Sequence, residues 1–564
     1  MWQGAPWPSL KGPGPTGVSL PAPPGVNLSD KQTRWKRVTG AGRCYLPPMA
    51  RWFNTAGPCN PADHYMLPAM RRLPEVRRLI EQKSYFVVHA PRQVGKTTAL
   101  LSLARELTTE GRYVAVLVSM ELGAAFPRDV GTAELAILQS WQAALEAQLP
   151  PELHPPPFPE APVGSRIATA LAAWAKACPK PLVVFLDELD ALRDGVLISL
   201  LRQLRDGYRN RPEHFPTSLA LIGLRDVRDY KAATGEGGTL GTASPFNIKV
   251  RSLTLRNFTA EEVVELYAQH TAETGQRFEP EALSRAFELT QGQPWLVNAL
   301  AKLAVEELAP DKSQPVHRAD IERAKALLIE RRETHLDSLA ERLREPRVRR
   351  ILEPMLAGLA LGDVPEDDLR FVQDLGLVRI APTGGLEMAN PIYREVIPRV
   401  LASTAFASLP PQPNTWVRAD GHLDKERLME AFLAFWRQHG QPLLGTAPYH
   451  EIAPHLVLMA FLHRVANGGG TLEREYAIGT GRMDLCLRYG PDTLALELKV
   501  WRDKEKDPLE EGLAQLDRYL TGPRLDSGWL VIFDRRSEQP PIAERTHSTA
   551  ATTPSGRHVT VVRA

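Results

Sequence analysis

One stretch of the chain constrains its fold more than any other. The apolar run Ser84-Tyr85-Phe86-Val87-Val88-His89-Ala90 has strand length. It is followed at once by Pro91-Arg92-Gln93-Val94-Gly95-Lys96-Thr97-Thr98 and then by Ala99 to Ala104, which reads as a helix. Strand, tight loop and helix with Gly-Lys-Thr at the junction is a phosphate-binding arrangement, because backbone N–H groups of the loop and of the helix start point at the anion. Lys96 supplies a point charge for the β- and γ-phosphates, and the Thr97 hydroxyl is placed to ligate magnesium. The nucleotide-binding set expected here is Ala90, Pro91, Arg92, Gln93, Val94, Gly95, Lys96, Thr97 and Thr98. The pattern asks for Gly where Ala90 stands. Ala is the smallest substitute and ends a strand, so a positive φ is not required of it.

A second strand is expected over Tyr113 to Val118, a long helix over Glu134 to Gln148, and a proline-crowded surface loop from Leu149 to Pro162. A helix near Ile167 to Ala177 leads into Pro181-Leu182-Val183-Val184-Phe185-Leu186-Asp187-Glu188, a buried parallel strand ending in two acids. Asp187 stands where an acid holds magnesium through water, and Glu188 where a general base polarises the attacking water. An acidic strand end that caps the next helix is the plainer alternative, and Asp190 reads as such a cap for a helix beginning near Ala191. A further strand, Ser218 to Leu224, ends in Arg225-Asp226. In doubly wound sheets this tip lies beside the γ-phosphate, so Arg225 is either a sensor or a partner for Asp226 or Asp229.

Size and charge bound the rest. With 564 residues the chain is too long for one core, and three or four domains are expected. Hydrophobic residues at 43% and charged residues at 24% have the balance of a soluble globular protein. A net charge of +2 means that any nucleic-acid surface must be local. No apolar run is long enough to span a membrane, so no membrane partner is expected. Cys44, Cys59, Cys178 and Cys486 have no metal-like or disulfide-like spacing, which fits a reduced cytoplasm. Residues 1–48 are rich in Pro and Gly and lack periodicity. They read as a disordered extension, or as sequence ahead of a true start at Met49.

Beyond the sheet, Phe258-Thr259-Ala260-Glu261-Glu262 reads as a capping box, with helices near 260–273, 280–290 and 294–308. Between the last two, Gly292 closes one helix and Pro294 opens the next. Gly-Lys-Thr, the Asp187–Glu188 strand end and this Gly-Gln-Pro turn together resemble the AAA-like ATPases of the STAND and archaeal-type class over residues 50–405. The resemblance implies that Pro294 sits on a helical lid against the nucleotide, and it leaves room for a homo-oligomer. The helix Asp367 to Gly376, then Leu377-Val378-Arg379-Ile380 and Leu386-Glu387-Met388-Ala389 around Thr383-Gly384-Gly385, suggest a winged helix. Such units bind DNA or serve as a protein-contact lid, and the sequence does not choose between the two.

After Leu409 to Asn414, helices are expected near 423–438 and 450–466, then strands over Glu473 to Ile478, Arg482 to Tyr489 and Thr493 to Val500. Glu497 and Lys499 are two apart and share a strand face, and Asp484 lies on the partner strand. Two carboxylates and a lysine on one sheet face suit magnesium or manganese and phosphodiester hydrolysis. Asp484, Glu497-x-Lys499, a helix carrying Gln515 and the strand Trp529 to Phe533 resemble the PD-(D/E)XK nuclease fold, with Glu451 as its early acid. A charged, solvated strand face is the alternative.

The fold class expected is therefore α/β. It comprises a doubly wound parallel-sheet P-loop NTPase core (49–256), a helical lid (257–335), a winged-helix-like domain (336–408), a linker (409–424) and a restriction-endonuclease-like α/β domain (425–564). The function expected is an ATP-binding, ATP-hydrolysing switch that controls a metal-dependent nuclease-like domain acting on nucleic acid, for which the resemblance implies a role in defence or DNA processing. The alternative is a regulatory ATPase whose C-terminal domain binds nucleic acid or protein without cutting it.

Overall fold

The computed structural model describes residues 51–224, 248–331, 335–336, 342–343, 345–356, 361–381, 384–397, 416–418, 420–446, 453–466, 470–478, 481–520 and 527–564. The expected N-terminal extension, Arg225, the Leu409–Asn414 stretch and Glu451 lie outside them.

The first sheet has five parallel strands: β1 (Tyr85–His89), β2 (Val114–Ser119), β3 (Leu182–Asp187), β4 (Ser218–Gly223) and β5 (Lys249–Thr254). Their order is β2-β3-β4-β1-β5. Strand side chains alternate between faces, and here both alternations are apolar. Phe86, Val88, Leu117, Phe185 and Ile222 pack on one face with the helices Val76–Glu81 and Lys96–Thr109. Tyr85, Val87, Val116, Val184 and Leu221 pack on the other with Val130–Gln148, Arg166–Ala177 and Asp194–Gly207. A sheet buried on both sides needs such continuous apolar runs, and each buried large side chain contributes about 1.5–3 kcal/mol. A parallel five-stranded sheet wrapped by helices fits a P-loop NTPase fold. Because β4 lies between β3 and β1, the ends of all three strands open onto one edge.

Two local expectations differ from the structure. Asp190 lies in a short 3-10 turn, Leu189–Ala191, and the next helix starts at Asp194. Its carboxylate accepts the Leu224 N–H at 3.1 Å, tying β4's end to β3's instead of capping a helix. The third lid helix ends at Leu303 and loosens into a π-type turn over Ala304–Leu308.

The lid helices are Ala260–Thr274, Pro280–Thr290 and Pro294–Leu303. Thr259 Oγ1 accepts the Glu262 N–H and Glu262 returns the contact to the Thr259 N–H, which completes the capping box. The segment expected to be winged-helix-like contains, among its described residues, the helices Pro346–Leu356 and Glu366–Asp374 and the hairpin β6 (Val378–Ile380) and β7 (Leu386–Met388).

The C-terminal sheet has six strands in the order β12-β13-β11-β10-β9-β8. They are β8 (Gly470–Ile478), β9 (Gly481–Tyr489), β10 (Asp492–Trp501), β11 (Gly528–Asp534), β12 (His547–Thr552) and β13 (His558–Arg563). β10, β11 and β13 run parallel, and the other pairings are antiparallel. One face packs on the helix Leu509–Leu520 through Leu516 and Leu520. The other packs on Lys425–Thr446 and Ala453–Ala466 through Trp436, Leu458 and Phe461. Trp416 and Leu423, in the stretch expected to be linker, are buried in this second core, and Asp424 N–H donates to Trp416 O at 2.7 Å.

Gly292 joins the lid to the sheet. Its φ is +70°, and a Cβ there would stand 1.9 Å from the Phe258 carbonyl oxygen, a backbone atom that cannot turn aside. Gly275 also has a positive φ of +81° but faces open space. Gly275→Ala is expected to cost about 1–2 kcal/mol, the left-handed penalty alone. Gly292→Ala should add to that the displacement of the 258 backbone, about 1–3 kcal/mol more, or prevent folding. Paired thermal melts check this, and equal losses would show that the close approach is not a constraint.

Candidate functional site

The phosphate loop turns between β1 and the helix Lys96–Thr109 on two left-handed residues, Gln93 (φ +57°) and Gly95 (φ +90°). Ala90 is absent from the left-handed positions, is fully buried, and donates its N–H to Gly223 O at 3.3 Å. The residue type missing from the motif is therefore not needed at that point. Lys96 Nζ donates to the carbonyls of Ala90 (2.8 Å) and Pro91 (2.9 Å), so the cation sits inside the curl of its own loop. Burial pushes its ammonium down from the ordinary lysine range, and the carboxylates Asp190, Asp187 and Glu188 pull against that.

Thr97 Oγ1 donates to Asp187 Oδ2 at 2.7 Å, bringing the first helical turn to the end of β3. Asp187 is buried, and its other oxygen accepts the Glu188 N–H at 2.9 Å. Glu188 itself has φ +56°, a conformation that costs a β-carbon-bearing residue about 1–3 kcal/mol and points to function when found in a site. Desolvation, then the neighbouring Asp187 and Asp190, hold its carboxyl above the ordinary range. A hydroxyl and a carboxylate side by side are hard oxygen donors that fit magnesium, with a second acid beyond them for a water.

Of the other loop residues, Arg92 is exposed, Val94 is buried, and Thr98 Oγ1 accepts the Cys59 N–H at 3.1 Å. Pro294 occupies the first turn of its helix, and the lid reaches the loop one residue earlier, where Gln293 Nε2 approaches Gln93 O at 3.5 Å. Sequence reasoning missed Arg72. It is almost wholly buried, donates to Val94 O (2.9 Å) and Arg256 O (3.1 Å), and lies 4.8 Å from the Phe258 ring centre. Burial pushes its guanidinium down to about 10. Nothing local in Met70-Arg71-Arg72-Leu73 distinguishes it from the exposed Arg71 beside it.

The winged-helix-like part also touches the loop. A Cβ on Gly376 (φ +72°) would come within 2.7 Å of Pro91 Cγ. Asp374 Oδ1 lies 4.0 Å from His89 Nδ1, and Arg379 Nη1 donates to Gln291 Oε1 at 2.6 Å.

The second constellation lies on the C-terminal sheet. Pairing of β9 with β10 runs from Tyr489↔Asp492 to Leu485↔Leu496, and beyond it Asp484 Oδ2 accepts the Leu498 N–H at 2.8 Å. Glu497 is 2% exposed, and its Oε2 is buried without a hydrogen-bond partner. Burial first, then the charge of Asp484, push its carboxyl up to about 8. Lys499 Nζ lies 3.4 Å from Glu497 and 3.2 Å from Glu511, and donates to Gln515 Oε1. Glu511 was not anticipated. It sits one turn before Gln515 on the helix Leu509–Leu520, and Tyr519, one turn after, is raised to about 12 by burial and by Glu497 and Asp484. The spacing Glu511, Gln515, Tyr519 is a helix face that could have marked all three. Among the described residues no three His, Cys, Asp or Glu side chains gather as a metal-ligand set. The pair Asp484 and Glu497 offers two, and the orphaned Glu497 oxygen is the donor that fits a divalent cation.

No family model matches the chain. No curated protein matches it. Among solved structures it is similar to a Walker-type ATPase of Pyrococcus abyssi at 15% identity and a TM-score of 0.45, over 61% of this chain and 99% of that one. It is also similar to the Aeropyrum pernix Orc1 protein in complex with DNA, at 17% identity and a TM-score of 0.32, over 61% and 94% of the two chains. The Thermotoga maritima RuvB Holliday junction branch migration motor matches at 15% identity and a TM-score of 0.32, over 58% and 92%.

Removing the Lys96 charge takes away the cation within the loop. Lys96→Ala should weaken ATP binding by at least about tenfold, since charge-assisted hydrogen bonds contribute about 1.5–3 kcal/mol. Calorimetric titration with ATP measures it, and an unchanged affinity would remove Lys96 from the site.

Proposed function

We propose that the protein is an ATP-binding and ATP-hydrolysing switch whose nucleotide site communicates with a metal-dependent, nuclease-like C-terminal domain acting on nucleic acid. The observation that carries the first half is the Thr97–Asp187 hydrogen bond of 2.7 Å beside Lys96, with Glu188 next in line. Lys96 and the loop N–H groups bind and orient the triphosphate. Thr97 and Asp187 would hold magnesium, which supplies charge neutralisation at the β- and γ-oxygens when bound. Glu188 takes a proton from the attacking water. Its raised carboxyl makes it a better base than an ordinary glutamate.

Glu188→Gln keeps the shape and removes the base. ATP binding should persist while hydrolysis falls by about 100-fold or more. Phosphate-release assays on the two proteins check it, and wild-type turnover in the variant would leave Glu188 a structural residue.

The communication runs through contacts already made. Gly376 lies so near Pro91 that a Cβ there would come within 2.7 Å of the proline ring, and Pro91's carbonyl is one of the two that Lys96 holds. When a triphosphate draws Lys96 away, the loop loses that tie on the side where the winged-helix-like part rests.

The buried Glu497 oxygen beside Asp484 and Lys499 supports the second half. Asp484 and Glu497 would hold magnesium or manganese, which supplies an activated water when bound. Lys499, kept in place by Glu511 and Gln515, would face the negative charge that develops on the phosphate oxygens. Groups that act as a unit are not additive. Asp484→Asn and Glu497→Gln should each remove most of the cleavage of plasmid or single-stranded DNA, the double should be little worse, and ATP affinity should not change. Cleavage that survives both substitutions would move the site elsewhere. Wild-type protein that never cleaves would favour a regulatory ATPase that binds without cutting.

A further inference from the structure

Lys499 is shared by three acceptors drawn from two elements. Its Nζ lies 3.4 Å from a Glu497 oxygen on the same strand and 3.2 Å from Glu511 Oε1 on the helix Leu509–Leu520. It also donates to Gln515 Oε1, one turn further along that helix. An ammonium has three N–H donors, so these acceptors use all of them. The helix side of the arrangement closes on itself, because Gln515 Nε2 donates to Glu511 Oε1 at 3.0 Å. Gln515 thus turns its oxygen to the lysine and its amide N–H to the acid, and Glu511 Oε1 accepts from both.

Gly512 lets the helix come near enough for this. A Cβ there would stand 2.5 Å from Leu530 Cδ1, and Leu530 is the register partner of Glu497 on β11. The start of the helix therefore lies against the sheet beside the buried acid, with Glu511 at the solvent rim. The Glu511 side chain is 67% exposed, where that of Glu497 is 3%. Among the described residues Asp484, Glu497 and Glu511 do not gather as a metal-ligand set. An effect of Glu511 on a cation has to pass through Lys499, the group that both glutamates touch.

We propose that Glu511 is a positioning residue that sets the affinity of the Asp484–Glu497 pair for a divalent cation, by drawing the Lys499 ammonium off Glu497. The ammonium and the cation compete for one carboxylate. At 3.4 Å Lys499 already offsets part of the Glu497 charge, and a cation at Glu497 Oε2 would meet a like charge across the same group. Glu511 pulls the other way from a comparable distance. With Glu511 neutral, Glu497 is the nearest full negative charge to the ammonium, and the oxygen left for a metal is weakened. The charges agree. Once Glu497 is ionised, Asp484, Glu497 and Glu511 against Lys499 leave an excess of two negative charges, which a divalent cation cancels, and without Glu511 the excess is one.

The inference rests on the metal-dependent reading of the C-terminal domain above, and the test separates the two. Full-length protein without nucleotide is titrated with Mn2+, and free Mn2+ is read by electron paramagnetic resonance. The uptake lost in Asp484→Asn is that of the C-terminal site. Glu511→Gln should weaken this uptake about tenfold or more, the usual effect of removing a group that orients a metal ligand. Lys499→Met should take up Mn2+ at least as tightly as wild type. Adding Glu511→Gln to Lys499→Met should then change the affinity by less than about twofold, because the group through which Glu511 acts has gone. Thermal melts run beside the titrations. Glu511→Gln should melt with wild type, and Lys499→Gln replaces Lys499→Met if the latter is unfolded at the titration temperature. An unchanged affinity in Glu511→Gln overturns the inference and leaves the metal-dependent reading standing. The same weakening with and without Lys499 also overturns it, since Glu511 would then act on the cation directly. Wild-type protein with no Asp484-dependent uptake overturns both.

Discussion

The half of the protein built on the five-stranded parallel sheet depends on one buried cation. Arg72 reaches from the 3-10 turn ahead of the helix Val76–Glu81 into the space between the loop before Lys96, the exit of β5 and the helices that follow it, and it is bonded to a carbonyl on each of the first two. A guanidinium in such a place is costly unless its N–H groups are matched, and here the match is made by backbone, which cannot rotate out of the way. The loop must keep Val94 O turned inward, the chain after β5 must present Arg256 O, and Phe258 must lie against the cation's face. Phe258 in turn fixes how near Gly292 can come. Lid angle and loop shape are thus two readings of the same contact, and Gly95 shares it, because a Cβ there would stand 3.2 Å from Arg72 Nη2.

The same economy explains which parts of the fold were legible in the sequence. β1, β3 and β4 are continuous apolar runs because both of their faces are covered, and their ends carry the chemistry, so motif and strand announce each other. The capping box at Thr259 and the Gly292–Pro294 turn are local events and read locally. β5 did not show itself, since Lys-Val-Arg-Ser-Leu-Thr is an edge strand with no apolar alternation. β12 was hidden for the same reason: His-Ser-Thr-Ala-Ala-Thr is almost wholly exposed and exists because β13 gives it a partner. Arg72 escaped because its role comes from a contact with a residue far away in the chain, whereas Glu511 and Tyr519 share with Gln515 a helix face that the spacing does carry.

The two candidate sites solve a common problem by opposite means. At the loop, Asp187 is buried with both oxygens matched, one by a hydroxyl and one by an N–H. On β10, Glu497 is left with one oxygen unmatched, and burial holds its carboxyl above the ordinary range. The first arrangement is complete before its ligand comes. The second is not, and its incompleteness is local, confined to one oxygen between two well-packed sheet faces.

A single cluster of buried apolar side chains runs from Phe53 and Tyr65, through Val263 and Leu300 of the lid and Phe371 of the winged-helix-like part, to Trp436, Phe461 and Phe533 in the C-terminal sheet. Recombination that exchanged the C-terminal half for another would therefore leave an apolar scar on each piece, and such a scar is an aggregation hazard. A substitution where the two halves meet is therefore answerable to the packing of both.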